Sequence, residues 1–374
     1  MTLTVSDAAT YVQKPVNVIY TQTLLRNARP LCPYMLGTTA GQIARNGGTA
    51  TIKWRRLDTS LDNSTSGIAP LTSTASALSE VSTASYMQGR TPATAHFSDY
   101  TATVLKYGQF FIINEEVDVF SPNGTMMGIT NTLAITAGRT LNILQRNVLD
   151  DNATVVYVGG VASDGVVASK ITAGSIDSVI ATLSTNVAMP FSPQSQGSSN
   201  VGTNPMLPGF WGFTHPHVAY DIAKLPGFKS VETYAGQVDT VPGEFGAYGG
   251  AGYTVRFVQS TDATKDLDSG IAVGSTGLRA TTTNIDLYTT SIVGMDAVGS
   301  VGLGKSFTDG IYRGGDNLPG IEMIAKGVGT GQPSGTDDPF DEITTLAYKF
   351  WHTGKILNAN WCRAIRSGAT NIVE

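Results

Sequence analysis

The chain has 374 residues and a formal net charge of −5, and only 14% of its residues are charged, against about 25% in ordinary soluble domains. That length allows two domains with ample core. The low charge argues against a surface covered mainly by water, and no apolar run approaches the ~20 residues needed to span a bilayer. Polarity comes instead from 47 Thr and 42 Gly, residues of strands, turns and close backbone approach. Such usage fits a protein that buries uncharged polar faces against copies of itself, and equally a secreted β-rich protein. Two cysteines, Cys32 and Cys362, give no disulfide framework, and their positions leave open whether they meet. The opening MTLTVSDAATYVQ lacks a basic segment followed by an apolar core, so a soluble, unexported chain made in a reducing compartment is expected.

Charge is unevenly spread. Residues 1–56 hold Lys14, Arg26, Arg29, Arg45, Lys53, Arg55 and Arg56 against Asp7 alone, a balance of +6 that leaves −11 for the rest. A basic arm on an acidic body lies either on an acidic neighbour or on nucleic acid. The first is favoured, because an acidic protein gains little by approaching DNA.

Residues 1 to about 46 are expected to form an extended arm with a short helix around Ile19 to Arg29, broken by Pro30 and Pro33. After the Gly47-Gly48 turn, Thr49 to Arg56 reads as a strand whose return partner is Ala95 to Leu105. These strands bracket Leu57 to Thr94, a Ser-, Thr- and Ala-rich excursion with almost no large apolar side chains, which cannot build a core of its own.

Pro122 to Asp151 then reads as one long helix. Ile129, Leu133, Ala137, Leu141, Leu144 and Val148 fall three and four apart and make one apolar stripe. A strand is expected at Val155 to Val158, a helix at Ser175 to Val187, and a Ser/Gln/Asn/Gly linker from Ser192 to Asn204. From Phe210 to Phe307 strand-length runs alternate with Gly-rich turns, as in Tyr253 to Gln259 and Ile285 to Val293. Near the C-terminus, Leu346, Tyr348 and Phe350 alternate with Ala347, Lys349 and Trp351, the period of a strand whose two faces meet different neighbours. The order is α+β, with closing strands that return to an earlier region.

Gly299 to Ser306 matches the phosphate-loop pattern GxxxxGK[ST], but a working loop of that kind opens a helix, and Pro319 follows within a Gly-rich run. His215-Pro-His217 supplies two ring nitrogens without further ligands at recognised spacing, so a strand-to-helix corner with Pro216 starting the helix is expected. No GxSxG elbow presents a serine. The acidic pairs Glu115-Glu116 and Asp337-Asp338 read as solvated or ion-paired faces.

The order of basic arm, bracketed excursion, long helix, Gly-rich region and returning strands resembles the major capsid proteins of tailed phages with the Hong Kong 97-like fold. Most similar is the coat family of N-four-like phages. The residues that carry the resemblance are Gly89-Arg-Thr-Pro92, Tyr107-Gly108, Phe213-Thr-His215-Pro216, Pro242-Gly-Glu-Phe-Gly246 leading to Tyr253-Thr-Val-Arg-Phe, and the closing run from Asp338-Pro339 through Ala347-Tyr-Lys349 to Ile356-Leu-Asn358 and Trp361-Cys-Arg363. The excursion is longer and richer in Ser and Thr than that family leads one to expect.

The resemblance implies a non-enzymatic shell subunit without catalytic residues, metal or cofactor. It implies an N-terminal arm at 1–46, an extended hairpin loop at 47–105, a peripheral domain with a spine helix from 106–152 and 336–374, and a mostly axial domain at 153–335. Its partners would be copies of itself in pentamers and hexamers, a separate scaffolding protein, a portal and decoration proteins, with packaged DNA touched weakly and without sequence preference, and no membrane. Its place would be the virion capsid after synthesis in the host bacterial cytoplasm. Arg26, Arg29, Arg45, Arg55 and Arg56 are the candidate inter-subunit contacts. A β-rich tail-fibre or adhesin-like binding protein is the alternative that composition permits.

Overall fold

The computed structural model describes residues 32–42, 50–57, 97–116, 125–192, 207–234, 240–250, 252–274, 276–302, 322–327, 338–340 and 342–372. The helix expected at Ile19 to Arg29 lies outside them, as do nearly all of the Leu57 to Thr94 excursion and of the Ser192 to Asn204 linker. The described residues fall into two compact units, one within 49–103 and one made of the remainder.

The smaller unit is a two-stranded antiparallel sheet. Strand β2 (Thr51–Leu57) pairs with β3 (Phe97–Thr103), Thr51 opposite Thr103 and Leu57 opposite Phe97. β-branched and aromatic residues at every second position suit a pleated ribbon. Half-buried Ile52, Trp54, Tyr100 and Ala102 share one face, and exposed Lys53, Arg55, Asp99 and Thr101 share the other.

In the larger unit, a five-stranded sheet runs β1 (Thr39–Gln42), β12 (Val298–Gly302), β14 (Ile343–Ile356), β13 (Glu322–Lys326), with β4 (Leu105–Asn114) also pairing β14. The 14-residue β14 is long enough to meet β4 antiparallel from Ile343 opposite Asn114 to His352 opposite Leu105, and then β12 from Thr353 to Ile356. Thr344, Leu346, Tyr348, Phe350 and His352 are buried while Thr345, Ala347, Lys349 and Trp351 are partly exposed, which is the expected two-faced strand. Gly108 has a steric reason: a Cβ there would stand 2.7 Å from the carbonyl oxygen of Tyr348, so only glycine lets β4 lie this close to β14.

Helix α1 (Thr125–Asn152) covers the buried face of this sheet. Leu133, Ala137 and Leu141 of its stripe are buried with Leu346, Tyr348 and Phe350, and Ile129 and Leu144 pack at the margin. Its β-branched threonines are accommodated because Thr132, Thr136 and Thr140 donate to the carbonyls of Gly128, Thr132 and Thr136 at 2.8 to 3.0 Å, satisfying each hydroxyl within the helix. At 28 residues the helix is about 42 Å long, and its last turn reaches a second core through Leu149.

That second core lies in an eight-stranded sheet ordered β5 (Thr154–Tyr157), β15 (Cys362–Ser367), β11 (Leu287–Val293), β6 (Gly209–Thr214), β9 (Tyr253–Gln259), β8 (Glu244–Gly250), β7 (Phe228–Ser230), with β10 (Lys265–Asp266) on β11. Strands β6 and β11 are buried along their whole length, and the hydroxyls of Thr214 and Thr290 satisfy each other at 2.9 Å. Helix α2 (Ala173–Thr185) is started by a reciprocal Thr172–Ser175 capping box and buries Ile176, Val179, Ile180 and Leu183. Helix α3 (Pro216–Ile222) follows β6 directly, and α4 (Val231–Tyr234) is a single turn. The closing segment therefore divides, with β14 in the first sheet and β15 in the second.

Candidate interaction surfaces

The polar clusters inside the larger unit are used in holding it together. Arg139 bonds Asp262 at 2.8 Å and the amide of Asn142 donates to Ser260 and Asp262, which fixes the loop after β9 against α1. Asp150, from the last turn of α1, accepts from the hydroxyls of Thr264 and Ser291. Arg256 and Glu244 form a buried ion pair at 2.7 Å, with Glu244 also accepting from Tyr234 and Arg256 lying 4.5 Å over the Trp211 ring. Such a pair, desolvated on every side, holds only while both partners are present.

His215 closes the β6–α3 corner. Its Nδ1 accepts from the backbone N–H of His217 at 3.2 Å, so it serves as the helix N-cap, and burial first, then the charges of His217, Lys265 and Arg279, push its pKa down to about 4. His217 Nδ1 lies 3.0 Å from the Tyr288 hydroxyl. Among the described residues no group of three His, Cys, Asp or Glu is placed to hold a metal. The two cysteines are not joined in a disulfide and are buried in different cores, and the Cys32 thiol donates to the Gly138 carbonyl. Burial above all pushes each thiol up to about 12, so neither is a thiolate at neutral pH.

Within Gly299 to Ser306 the residues described form a strand, which agrees with the sequence expectation against a working phosphate loop. Gly299 to Gly302 belong to β12, paired parallel to β1 and antiparallel to β14. Backbone amides committed to two neighbouring strands cannot cradle a phosphate. Gly304, Lys305 and Ser306 lie outside the described residues.

Two open faces remain. On the smaller unit, Asp99 takes both Lys53 at 2.6 Å and Arg55 at 2.9 Å. These bonds, that from Arg55 foremost, hold the Asp99 carboxyl down to about 2. On the larger unit, the face of the first sheet turned away from α1 carries Phe110 at 64% and Ile112 at 61% exposed, with Ile343 also open. Ala347 and Thr345 stand opposite Phe110 and Ile112 on β14, and Lys106 lies 5.9 Å over Trp351 beside them. Contiguous apolar exposure of this kind marks a surface made to be covered. Of the arginines expected at contacts, Arg55 is in the ion pair with Asp99; Arg56 is in β2 with its side chain undescribed; Arg26, Arg29 and Arg45 lie outside the described residues. Sequence reasoning missed the apolar face, although alternation of Phe110 and Ile112 with Phe111 and Ile113 is its signal.

No protein-family model and no curated protein matches the sequence. Solved structures do. The chain is similar to that of the capsid of Ralstonia phage GP4, with a TM-score of 0.59 at 10% identity over 90% of this chain and 88% of that one. The fold is that of a phage capsid chain. It is also similar to the head structure of Helicobacter pylori bacteriophage KHP40, with a TM-score of 0.51 at 9% identity over 91% of both chains. A third likeness is to the capsid structure of Cyanophage P-SCSP1u, with a TM-score of 0.50 at 11% identity over 89% and 87%. At such identities the phage capsid chains share the path of the backbone with this protein and few of its side chains.

Proposed function

We propose that the protein is a non-enzymatic major capsid protein that self-assembles through pentamers and hexamers into an icosahedral shell around phage double-stranded DNA. The observation that carries this reading is the fold likeness to the Ralstonia phage capsid chain over nearly the whole length of both. The exposed apolar face of the first sheet and the low charge support it, since interfaces between permanent partners are large, often 2,000 Å² or more, and poor in charge at their centre. In this reading the fold is Hong Kong 97-like and the finer assignment, to the coat family of N-four-like phages, rests on the sequence motifs. Residues 1–46 form the arm and 47–105 the extended loop. Residues 106–152 with 336–374 form the peripheral domain with α1 as spine, and 153–335 are mostly axial. Scaffolding, portal and decoration proteins, weak contact with DNA, synthesis in the host cytoplasm and residence in the virion follow from the same reading.

Electron microscopy of the full-length protein after gradient sedimentation, alone and with a scaffolding protein, tests this. Closed shells, rings of five or six, or flat arrays are expected; monomers or slender trimers under both conditions overturn it. Within the reading, Arg26, Arg29 and Arg45 dock on acidic residues of a neighbouring subunit, Arg55 and Arg56 add to that contact, and Leu57 to Thr94 reaches over a neighbour. Reversal of Arg26, Arg29 and Arg45 to Glu lowers assembly at low salt; assembly unchanged at low and high salt refutes the arm contact. Deletion of 58–93 gives less stable shells; shells of normal stability refute the reach of the loop.

A further inference from the structure

Four buried polar atoms with no hydrogen-bond partner among the described residues sit on the two elements that make one seam. They are Nδ1 and Nε2 of His352 on β14 and Oε1 and Nε2 of Gln145 on α1. His352 is 2% exposed and Gln145 is fully buried. Gln145 Oε1 lies 2.8 Å from where a Cβ on Gly354 would stand, and Gly354 is two residues from His352, on the same face of the strand. Buried polar atoms are nearly always paired, so an imidazole and an amide both buried unpaired, on the strand and the helix that pack together, are an unusual feature of this seam.

The imidazole is tolerated there only while neutral. Its protonated form presents two N–H donors and a full charge, and among the described residues no neighbouring charge acts on it. On α1, Arg139 is bonded to Asp262, Arg146 to the Asp262 carbonyl, and Asp150 to Thr264 and Ser291. On β4, Lys106 lies over Trp351, on the opposite face of the sheet, and Lys349 and Lys355 of β14 alternate to that same face. Strand β12 contributes no charged residue.

We propose that His352 is a proton-operated latch on the seam between α1 and β14: the neutral imidazole keeps the seam closed, and its protonation opens the seam so that His352 and Gln145 reach water. Burial, with no neighbouring charge contributing, pushes the His352 pKa from 6.5 down to about 4. A depressed histidine pKa means that the open state binds the proton more readily. Closure is therefore favoured fully above pH 6.5 and loses that advantage as pH falls toward 4. From these two values, opening increases about a hundredfold between pH 7 and pH 4.

Hydrogen exchange on the full-length chain, corrected for the pH dependence of intrinsic exchange, tests this in wild type and His352→Phe. The expected result is an excess of about a hundredfold in wild-type opening over 133–149 and 344–352 at pH 4 relative to pH 7, absent from His352→Phe. Exchange in α2, whose buried face lies in the other core, should follow one pH dependence in both proteins. Equal pH dependence of the seam in wild type and variant overturns the proposal. Should His352→Phe fail to fold, nitrogen-15 histidine resonances of the wild type decide. The charged form of His352 should appear only near pH 4 and together with loss of seam protection; titration near 6.5 with the seam intact overturns the latch.

Discussion

At the scale of single residues, the Arg256–Glu244 pair shows buried charge met by a partner. Arg256 and Glu244 are 3% and 0% exposed in their side chains, and Arg256→Ala leaves a buried carboxylate uncompensated. The expected loss is about 3–5 kcal/mol in urea unfolding, whereas Arg256→Met with Glu244→Leu together costs much less. His215 is a second case. As the acceptor for the His217 amide, it must be unprotonated at Nδ1 to cap α3. Its folded pKa of about 4 lies below the unfolded value, so its contribution is complete above pH 6.5 and is lost as pH falls through the interval down to 4. His215→Asn, which keeps a capping oxygen, should hold stability at neutral pH and flatten this slope, while His215→Ala should cost about 1 kcal/mol; thermal unfolding from pH 7 to pH 4 separates the two effects.

Among elements, α1 and β14 carry the larger unit between them. The helix buries one stripe against the first sheet and sends Leu149 and Asp150 into the second. Leu141→Ala should therefore cost about 2–5 kcal/mol and Phe350→Ala about 3–5 kcal/mol, read as lowered midpoints in chemical denaturation. The stripe and the alternation of β14 could be read from the sequence because period fixes which side chains share a face. Trp361 is buried as core, but in the second core and not the one that holds Phe350, and its Nε1 donates to the Asn186 carbonyl at 2.9 Å. The difference arises at Leu357 to Trp361, where the chain leaves one sheet for the other, a change of partner that no local period records.

For the whole molecule, the exposed face of the first sheet joins fold to proposed assembly. Phe110→Asp with Ile112→Asp should leave the unfolding midpoint of the isolated chain nearly unchanged, within about 0.5 kcal/mol per site, and abolish shells in electron micrographs; shells formed as before would remove this face from the assembly. The sequence by itself determined the α+β order, the strand pair bounding the Leu57 to Thr94 excursion, the long helix with its stripe, the β6–α3 corner and the two-faced closing strand, because each depends on residues within a few positions of one another. Tertiary structure alone decided that β1 lies parallel to β12, that β12 joins β1 to β14, that Arg256 meets Glu244 across β8 and β9, and that His352 and Gln145 are both buried. Those depend on which distant strand fills each edge and which side chains close each core, and long-range pairing of that kind leaves no period in the chain.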